Sequence, residues 1–240
     1  MHTYDDYKEF IKDKNKLLFL TGAGVSTLSG IKDFRSQDGL FNQKNQYPPE
    51  EILSVDFYNT KTKEFYEYYK TAFDLRKFEP SAIHKHIALL EQMGKQVSVV
   101  TQNVDGLHQK AGSSNVIEYH GTIYDNTCSD CHKKYSASAV FEAEGIPTCS
   151  ECGGIIRPEI VLYGEIPQSP YKIMREFPRP DAMIVIGTSL LVSPANTFIF
   201  YCVEHWIPIV IINRDKTPFD DCATILINDD FRNIFKEGDI

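Results

Sequence analysis

Four strand-length apolar runs, each ending in a small polar or glycine-bearing cluster, restrict this chain more than any other feature. Lys16–Thr21 runs into Gly22–Ser26, Gln96–Thr101 into Gln102–Asp105, Ala182–Ile186 into Gly187–Ser189, and Ile207–Ile212 into Asn213–Asp215. Thr224–Ile227 is a fifth such run. Runs of this kind suit strands buried on both faces. Helical segments lie between them. Thr3–Asp13 places Tyr4, Tyr7, Phe10 and Ile11 on one side, Lys61–Lys77 is rich in aromatics, and a third segment opens at Pro80–Ser81 and closes near Gln92. Ser81 caps that third helix and Gly94 lies beyond its end. Ser36–Pro49, polar and holding Gly39, Pro48 and Pro49, reads as loop. Strands alternating with helices predict βαβ units and a mostly parallel sheet. Ligands bind such sheets off the carboxyl ends of the strands, so four clusters at four strand ends predict one shared crevice.

Cysteine spacing adds a second constraint. Cys128-x-x-Cys131, 17 intervening residues and Cys149-x-x-Cys152 match a four-thiolate zinc site, with Gly153 and Gly154 supplying the close turn after the second pair. Four thiolates complete a tetrahedral shell. The ion therefore holds structure and performs no catalysis, and the adjoining His132 is left to solvent. Cys202 and Cys222 stand alone and read as small residues without chemistry.

The formal net charge of −8 argues against a protein built to hold nucleic acid, though helix ends and backbone amides can still seat a dinucleotide. Met1–Lys16 lacks the apolar stretch of a signal peptide, and no segment reaches the roughly 20 apolar residues of a membrane span. A cytoplasmic protein with reduced cysteines is expected.

Thr21-Gly22-Ala23-Gly24-Val25-Ser26 can turn tightly beneath a pyrophosphate. It is not the dehydrogenase fingerprint, because Thr27 stands where the third glycine belongs, and no acidic ribose ligand is evident on the following strand. With Gly30-Ile31-Lys32-Asp33-Phe34-Arg35, Thr101-Gln102-Asn103-Val104-Asp105-Gly106-Leu107-His108 and His120-Gly121, however, the chain resembles the sirtuin family. The likeness continues in order through the cysteine pairs, Val161-Leu162-Tyr163-Gly164-Glu165, Gly187-Thr188-Ser189 and Asn213-Arg214, and its tone is that of the bacterial branch.

The resemblance implies an NAD-dependent protein lysine deacetylase. In that reaction the acyl-lysine oxygen attacks C1′ of the nicotinamide ribose, nicotinamide leaves, and the acyl group passes to ADP-ribose. His120 would be the general base on the ribose hydroxyls, as suits a side chain that titrates near working pH. Asp105 would hold the nicotinamide carboxamide, Asn103 the ribose and ordered water, and these two join His120 as catalytic residues. Gln102 would face the ribose beside Val104. Gly22, Ala23, Gly24, Ser26 and Thr27 would form the pyrophosphate turn, followed by Asp33, with Phe34 covering the ribose and Arg35 meeting phosphate or ribose. Gly187, Thr188 and Ser189 would take the far phosphate or ribose, and Asn213, Arg214 and Phe231 the adenosine end. Val161, Leu162, Tyr163, Gly164 and Glu165 would pair with the backbone of the acylated protein, extending it as a strand.

The implied fold is α/β: one catalytic domain over 1–240, a Rossmann-like doubly wound parallel sheet with a smaller zinc-binding and helical lobe. The large lobe spans about 1–35, 80–124 and 156–240, and the small lobe a helical insertion at 36–79 and the zinc module at 125–155. Lys32 stands where many members have Pro, and Tyr163 replaces the commoner Phe. Members that remove succinyl groups carry a Tyr-x-x-Arg pair. Here Tyr66 is present but Tyr69 occupies the Arg position, which favours acetyl or a longer neutral acyl group. A mono-ADP-ribosyltransferase shares the glycosidic cleavage and is the alternative enzyme reading. A binding-only module would have no use for Gln102, Asn103, Asp105 and His120 together.

Overall fold

The computed structural model describes residues 2–33, 39 and 46–235. The chain begins with α1 (Tyr4–Lys12), β1 (Lys16–Thr21) and a 3-10 helix (Ala23–Ser29). Three helices follow, α2 (Pro49–Ile52), α3 (Val55–Thr60) and α4 (Thr62–Ala72), then α5 (Ala82–Gln92), β2 (Gln96–Thr101), α6 (Leu107–Ala111) and β3 (Val116–Glu118). Next come β4 (Gly121–Cys128), β5 (Lys134–Tyr135), α7 (Ala137–Phe141) and β6 (Ile156–Ile160). The chain closes with α8 (Pro170–Glu176), β7 (Ala182–Ile186), α9 (Thr197–Glu204), β8 (Ile209–Ile212), β9 (Ile225–Ile227) and α10 (Phe231–Ile234).

Six strands form one parallel sheet in the order β3-β2-β1-β7-β8-β9. Side chains alternate across it, because successive residues of a strand point to opposite faces. Leu17, Phe19, Ile184 and Val210 pack under α1, α5 and α10, whereas Leu18, Leu20, Val185 and Ile211 pack under α8 and α9. Both faces are covered, which is why the runs are apolar throughout. The order changes direction between β1 and β7, so the opening of a crevice falls there. Among the described residues no helix is long and apolar enough to cross a membrane.

The second sheet is small and antiparallel, β5-β4-β6, and carries the cysteines. α3, α4 and this sheet share a separate apolar cluster that includes Phe57, Phe65, Tyr66, Tyr69, Cys128 and Cys149. That cluster reaches past 36–79 and 125–155 to take in Ile123, Ile156, Ile160 and Leu162. The aromatic helix ends at Ala72, five residues before Lys77, and α3 precedes it behind a Ser54 cap, Phe57 N donating to Ser54 Oγ at 3.1 Å. α1 begins with a capping box in which Asp6 N donates to Thr3 Oγ1 and Thr3 N donates to Asp6 Oδ2.

Three histidines, His84, His86 and His108, are buried in the large lobe, and none forms an ion pair among the described residues. Burial pushes His84 down to about 3 and His86 to about 4, and holds His108 well below its usual range. Below about pH 6.5 the unfolded chain binds protons that the folded chain refuses, so this stability is present above that pH and lost as the pH falls. At pH 5 His84 and His86 each cost about 2 kcal/mol relative to pH 7.5, and His108 acts in the same direction. The urea midpoint should drop over this interval, and drop less in His86→Gln; equal slopes would assign the acid sensitivity elsewhere.

Candidate active site

The crevice predicted at the strand ends exists and encloses about 940 Å³. Its floor is the turn after β1. Gly22 N donates to Ile186 O at 3.2 Å and Gly24 N to Gly187 O at 2.8 Å, so the turns after β1 and β7 lie directly on each other. A Cβ on Gly24 would sit 2.6 Å from Gly187 Cα, and one on Gly22 2.7 Å from Thr188 Cβ. Gly187 itself has φ of +66°. These glycines are therefore required first by the crossing of two backbones. Gly24→Ala should cost about 1–3 kcal/mol by overpacking and weaken nucleotide binding. Gly145→Ala, where a Cβ meets nothing and only the positive φ of +66° is strained, serves as the control for nucleotide binding alone; equal nucleotide binding by both variants would contradict the assignment.

Behind the turn the carboxylate of Asp105 is 3 % exposed. Its Oδ2 accepts from Ser26 Oγ at 2.6 Å and its Oδ1 from Leu107 N at 3.0 Å. Asn103 Nδ2 donates to Ser26 Oγ at 3.0 Å, closing a network of three side chains. Burial raises the Asp105 carboxyl, and the bonds from Ser26 and Leu107 pull it back without cancelling the shift. Each carboxylate oxygen keeps a second lone pair for a ligand donor. Gln102 Nε2 donates to Thr188 Oγ1 at 2.9 Å, tying the end of β2 to the end of β7.

His120 sits on the tight turn between β3 and β4. Gly121 follows with φ of +80°, and a Cβ there would lie 1.9 Å from Glu159 O, so only glycine fits. The His120 ring contacts Gln102 O through Nδ1 at 3.1 Å. A carbonyl can only accept, so Nδ1 carries the proton and Nε2 keeps its lone pair. Burial lowers the imidazole below its ordinary range, partly offset by the Gln102 carbonyl. His120 O in turn accepts from Val161 N at 2.9 Å. The residue is thus held from the nucleotide side by its ring and from the Val161–Glu165 side by its backbone.

Every described residue proposed from sequence for the nucleotide lines this crevice: Gly22, Ala23, Gly24, Ser26, Thr27, Asp33, Gln102 to Asp105, His120 and Gly187 to Ser189. At the far end Asn213 Nδ2 donates to Asp215 O at 2.7 Å, Arg214 pairs with Asp215, and buried Phe231 adds an edge. Phe34 and Arg35 lie outside the described residues.

Val161–Glu165 lines the crevice mouth, but as a fastened turn in place of a free strand edge. Leu162 N donates to Glu165 Oε2, Tyr163 N to Leu53 O and Glu165 N to Leu162 O. Glu165 is anchored by Arg157 at 2.7 Å. With Val161 N given to His120, an added strand must use the Gly164 amide or carbonyl oxygens.

The Tyr66 and Tyr69 reading changes. Tyr66 Oη donates to Ile156 O at 2.7 Å, and Tyr69 stacks on Phe65, Phe73 and Phe141. Both face the small-lobe cluster, because α4 is buried on two sides. Its crevice side carries Tyr68, Thr71 and Ala72, whose i, i+3, i+4 spacing was the available signal. Lys70 Nζ is spent on the carbonyls of Ala143 and Gly145, and Arg76 on Asp74 and Glu142.

The four cysteine sulfurs converge within 4.8 Å of one another. Cys128 and Cys152 Sγ are 3.5 Å apart, Cys131 and Cys149 3.6 Å. Zinc–sulfur bonds of about 2.3 Å in a tetrahedron need edges near 3.8 Å, so the donor set fits the ion. Gly154 is part of the cradle: a Cβ there would lie 2.9 Å from Cys128 Sγ. Tyr135 Oη donates to Cys149 Sγ at 2.9 Å and holds that thiol down to about 6. His132 is exposed, away from the donor set.

A parallel sheet with a crevice at its switch point, a histidine poised over it and a four-thiolate module define a nucleotide-using α/β enzyme with a structural metal site. The chain belongs to the Sir2 family, whose model matches residues 22–194. It is 43% identical over 227 residues to an NAD-dependent protein deacetylase of Clostridium perfringens (strain 13 / Type A), covering 92% of each chain. It is 38% identical to the NAD-dependent protein deacetylase of Staphylococcus aureus (strain NCTC 8325 / PS 47), covering 98% of this chain and 97% of that one. Among solved structures, one described as Sir2-p53 peptide-NAD+ superposes with a TM-score of 0.84 at 36% identity, covering 99% of both chains.

Proposed function

We propose that this protein removes acetyl groups from protein lysines with NAD as co-substrate, releasing nicotinamide and passing the acetyl group to ADP-ribose. The observation that carries the reading is His120, with Nδ1 committed to Gln102 O and its backbone to the Val161 segment. Its unprotonated Nε2 is available to take a proton from a ribose hydroxyl where nucleotide and acyl-lysine meet. NAD supplies the ribose carbon that accepts the acyl oxygen once nicotinamide departs. Asp105 accepts from the carboxamide NH₂, Asn103 and Gln102 orient the ribose, and the Gly22–Thr27 turn seats the pyrophosphate. Zinc, held by Cys128, Cys131, Cys149 and Cys152, stabilises the small lobe. Four thiolates stay reduced in the cytoplasm, where we place the protein. Incubation with NAD and an acetyl-lysine peptide, followed by mass spectrometry, tests the reading: acetyl-ADP-ribose is expected, and ADP-ribosylated protein in its place would overturn it.

The acyl group is neutral on this reading, because α4 presents Tyr68, Thr71 and Ala72 to the crevice and keeps Lys70 elsewhere. A missing bidentate partner for a carboxylate is worth roughly 1.5–3 kcal/mol, or about one to two decades. Acetyl-lysine peptides should therefore exceed succinyl-lysine peptides in kcat/KM by that margin. Equal efficiencies would mean that Lys32 or Lys77, which also line the crevice, reaches the acyl group.

A further inference from the structure

The cysteine module carries one hydrogen bond that the chemistry above does not use. Tyr135 ends β5, the two-residue strand that returns from the Cys128–Cys131 turn and pairs with β4. Its phenol crosses to the other cysteine turn, where Oη donates to Cys149 Sγ at 2.9 Å. Two groups of Ser150 also meet this oxygen: the backbone N donates to it at 3.1 Å, and the side-chain Oγ lies 3.3 Å away. Among the described residues, none of the other three sulfurs takes a hydrogen bond from a side chain outside the cysteine set. Their further donors are backbone amides. Lys133, two residues earlier, makes a second bridge between the turns through Glu151 at 2.7 Å, but the Glu151 side chain is 64 % exposed and such pairs contribute little.

The phenol has one proton, and its destination follows from what the neighbours can do. Ser150 N–H takes one lone pair of the oxygen, so the proton goes to Cys149 Sγ or to Ser150 Oγ. With zinc bound, Cys149 is a thiolate, and hydrogen bonds to ionised acceptors are roughly twice as strong as neutral ones. The Ser150 hydroxyl can instead donate to the second lone pair of Tyr135 Oη, which satisfies both groups. Four thiolates around one divalent ion leave an excess of negative charge, and a donor at one sulfur draws part of it away. The bond also ties the two cysteine turns together, because β5 follows the first pair and Cys149 opens the second.

We propose that Tyr135 is a positioning residue of the zinc site: its O–H donates to the zinc-bound Cys149 thiolate and holds the second cysteine turn closed on the ion. The role rests on the four-thiolate zinc reading and adds to it which thiolate is held hardest. Cys149 is 4 % exposed and also accepts from Glu151 N at 3.4 Å, whereas Cys131 and Cys152 are exposed. A competing ligand therefore reaches the ion from the side of Cys131 and Cys152. While either of these is displaced, Tyr135 keeps Cys149 in place, and the displaced thiolate can return.

Tyr135→Phe keeps the ring and loses the donor. Removing a group that hydrogen-bonds a metal ligand costs about 10–100-fold in metal affinity, so zinc transfer from the full-length variant to excess chromogenic chelator should run about tenfold faster than from wild type. The same variant loaded with cobalt(II) reports on the sulfur directly. Loss of the donor raises the energy of the thiolate electrons, so the sulfur-to-cobalt charge-transfer band should move to longer wavelength. The ligand-field bands should stay those of a tetrahedral four-thiolate site. Ser150→Ala and Lys133→Gln leave the phenol in place, and each should change zinc transfer less than about twofold. A transfer rate in Tyr135→Phe within about twofold of wild type would overturn the role. An unmoved charge-transfer band would overturn it even where transfer accelerates, because loosened packing alone speeds release. Equal acceleration in Ser150→Ala or Lys133→Gln would also overturn it, since the phenol bond would then not be the cause. Wild-type protein that binds no zinc would refute the four-thiolate reading itself, and the role of Tyr135 with it.

Discussion

His120→Ala should lose about two to four orders of magnitude in turnover while binding NAD nearly as well as wild type. The substitution removes Nε2 and leaves the turn at Gly22–Thr27, the Asp105 network and the adenosine end untouched. Asp105→Asn should behave differently, weakening exchange of labelled nicotinamide as well as overall turnover, because the carboxamide loses its charged acceptor. The pH profile carries a further sign. Burial lowers His120 below the ordinary 6.5, and the base works in its neutral form. The acid limb of kcat/KM should therefore fall below pH 6.5, with activity lost as the pH drops through it. Calorimetric NAD binding beside deacetylation kinetics decides the matter. Near-normal turnover of His120→Ala would make the residue structural and sink the proposed mechanism.

Removing one zinc ligand should have the largest effect on stability. Structural zinc contributes roughly 10–16 kcal/mol where folding and binding are coupled. Cys128→Ala or Cys149→Ala should release about one metal ion per chain, as expected for a single closed shell. The loss would pass to α4, whose Tyr66 bonds Ile156 O, whose Tyr69 stacks on Phe141 of α7, and whose Lys70 grips Ala143 and Gly145. Amide exchange should rise in α4 and α7 first and leave the β1, β2 and β7 strands protected. Cys202→Ala, distant from the four sulfurs, should retain its metal. Full zinc content in either ligand variant would refute the four-thiolate site.

The central strands were legible because their patterning is strong: Lys16–Thr21, Gln96–Thr101 and Ala182–Ile186 form as read. β3 escaped notice since Val116–Glu118 is three half-buried residues at the sheet edge, too short for any period to show. β8 begins at Ile209, later than its apolar run, because Ile207 packs in the loop before it. The motif residues converge as their order implied, yet the reasons were partly hidden. Gly22 and Gly24 look like nucleotide-binding glycines, and only the structure places Gly187 against them. Tyr66 and Tyr69 were aligned with an acyl-binding pair, but an aromatic helix does not declare which of its two buried faces meets the ligand. Contacts such as His84 with His108 join distant segments, and one sequence holds no local signal for them.

The crossing of Gly24 over Gly187 also bears on how the molecule is made. The nucleotide floor is built from the first strand and the seventh, so it cannot exist while the chain is only partly synthesised. Until β7 has emerged and docked beside β1, the turn after β1 lacks the carbonyl that anchors Gly24 and the surface that holds it shut. NAD then recognises a finished product. It should favour the complete fold by mass action while doing nothing for a nascent amino-terminal half, even one already holding zinc.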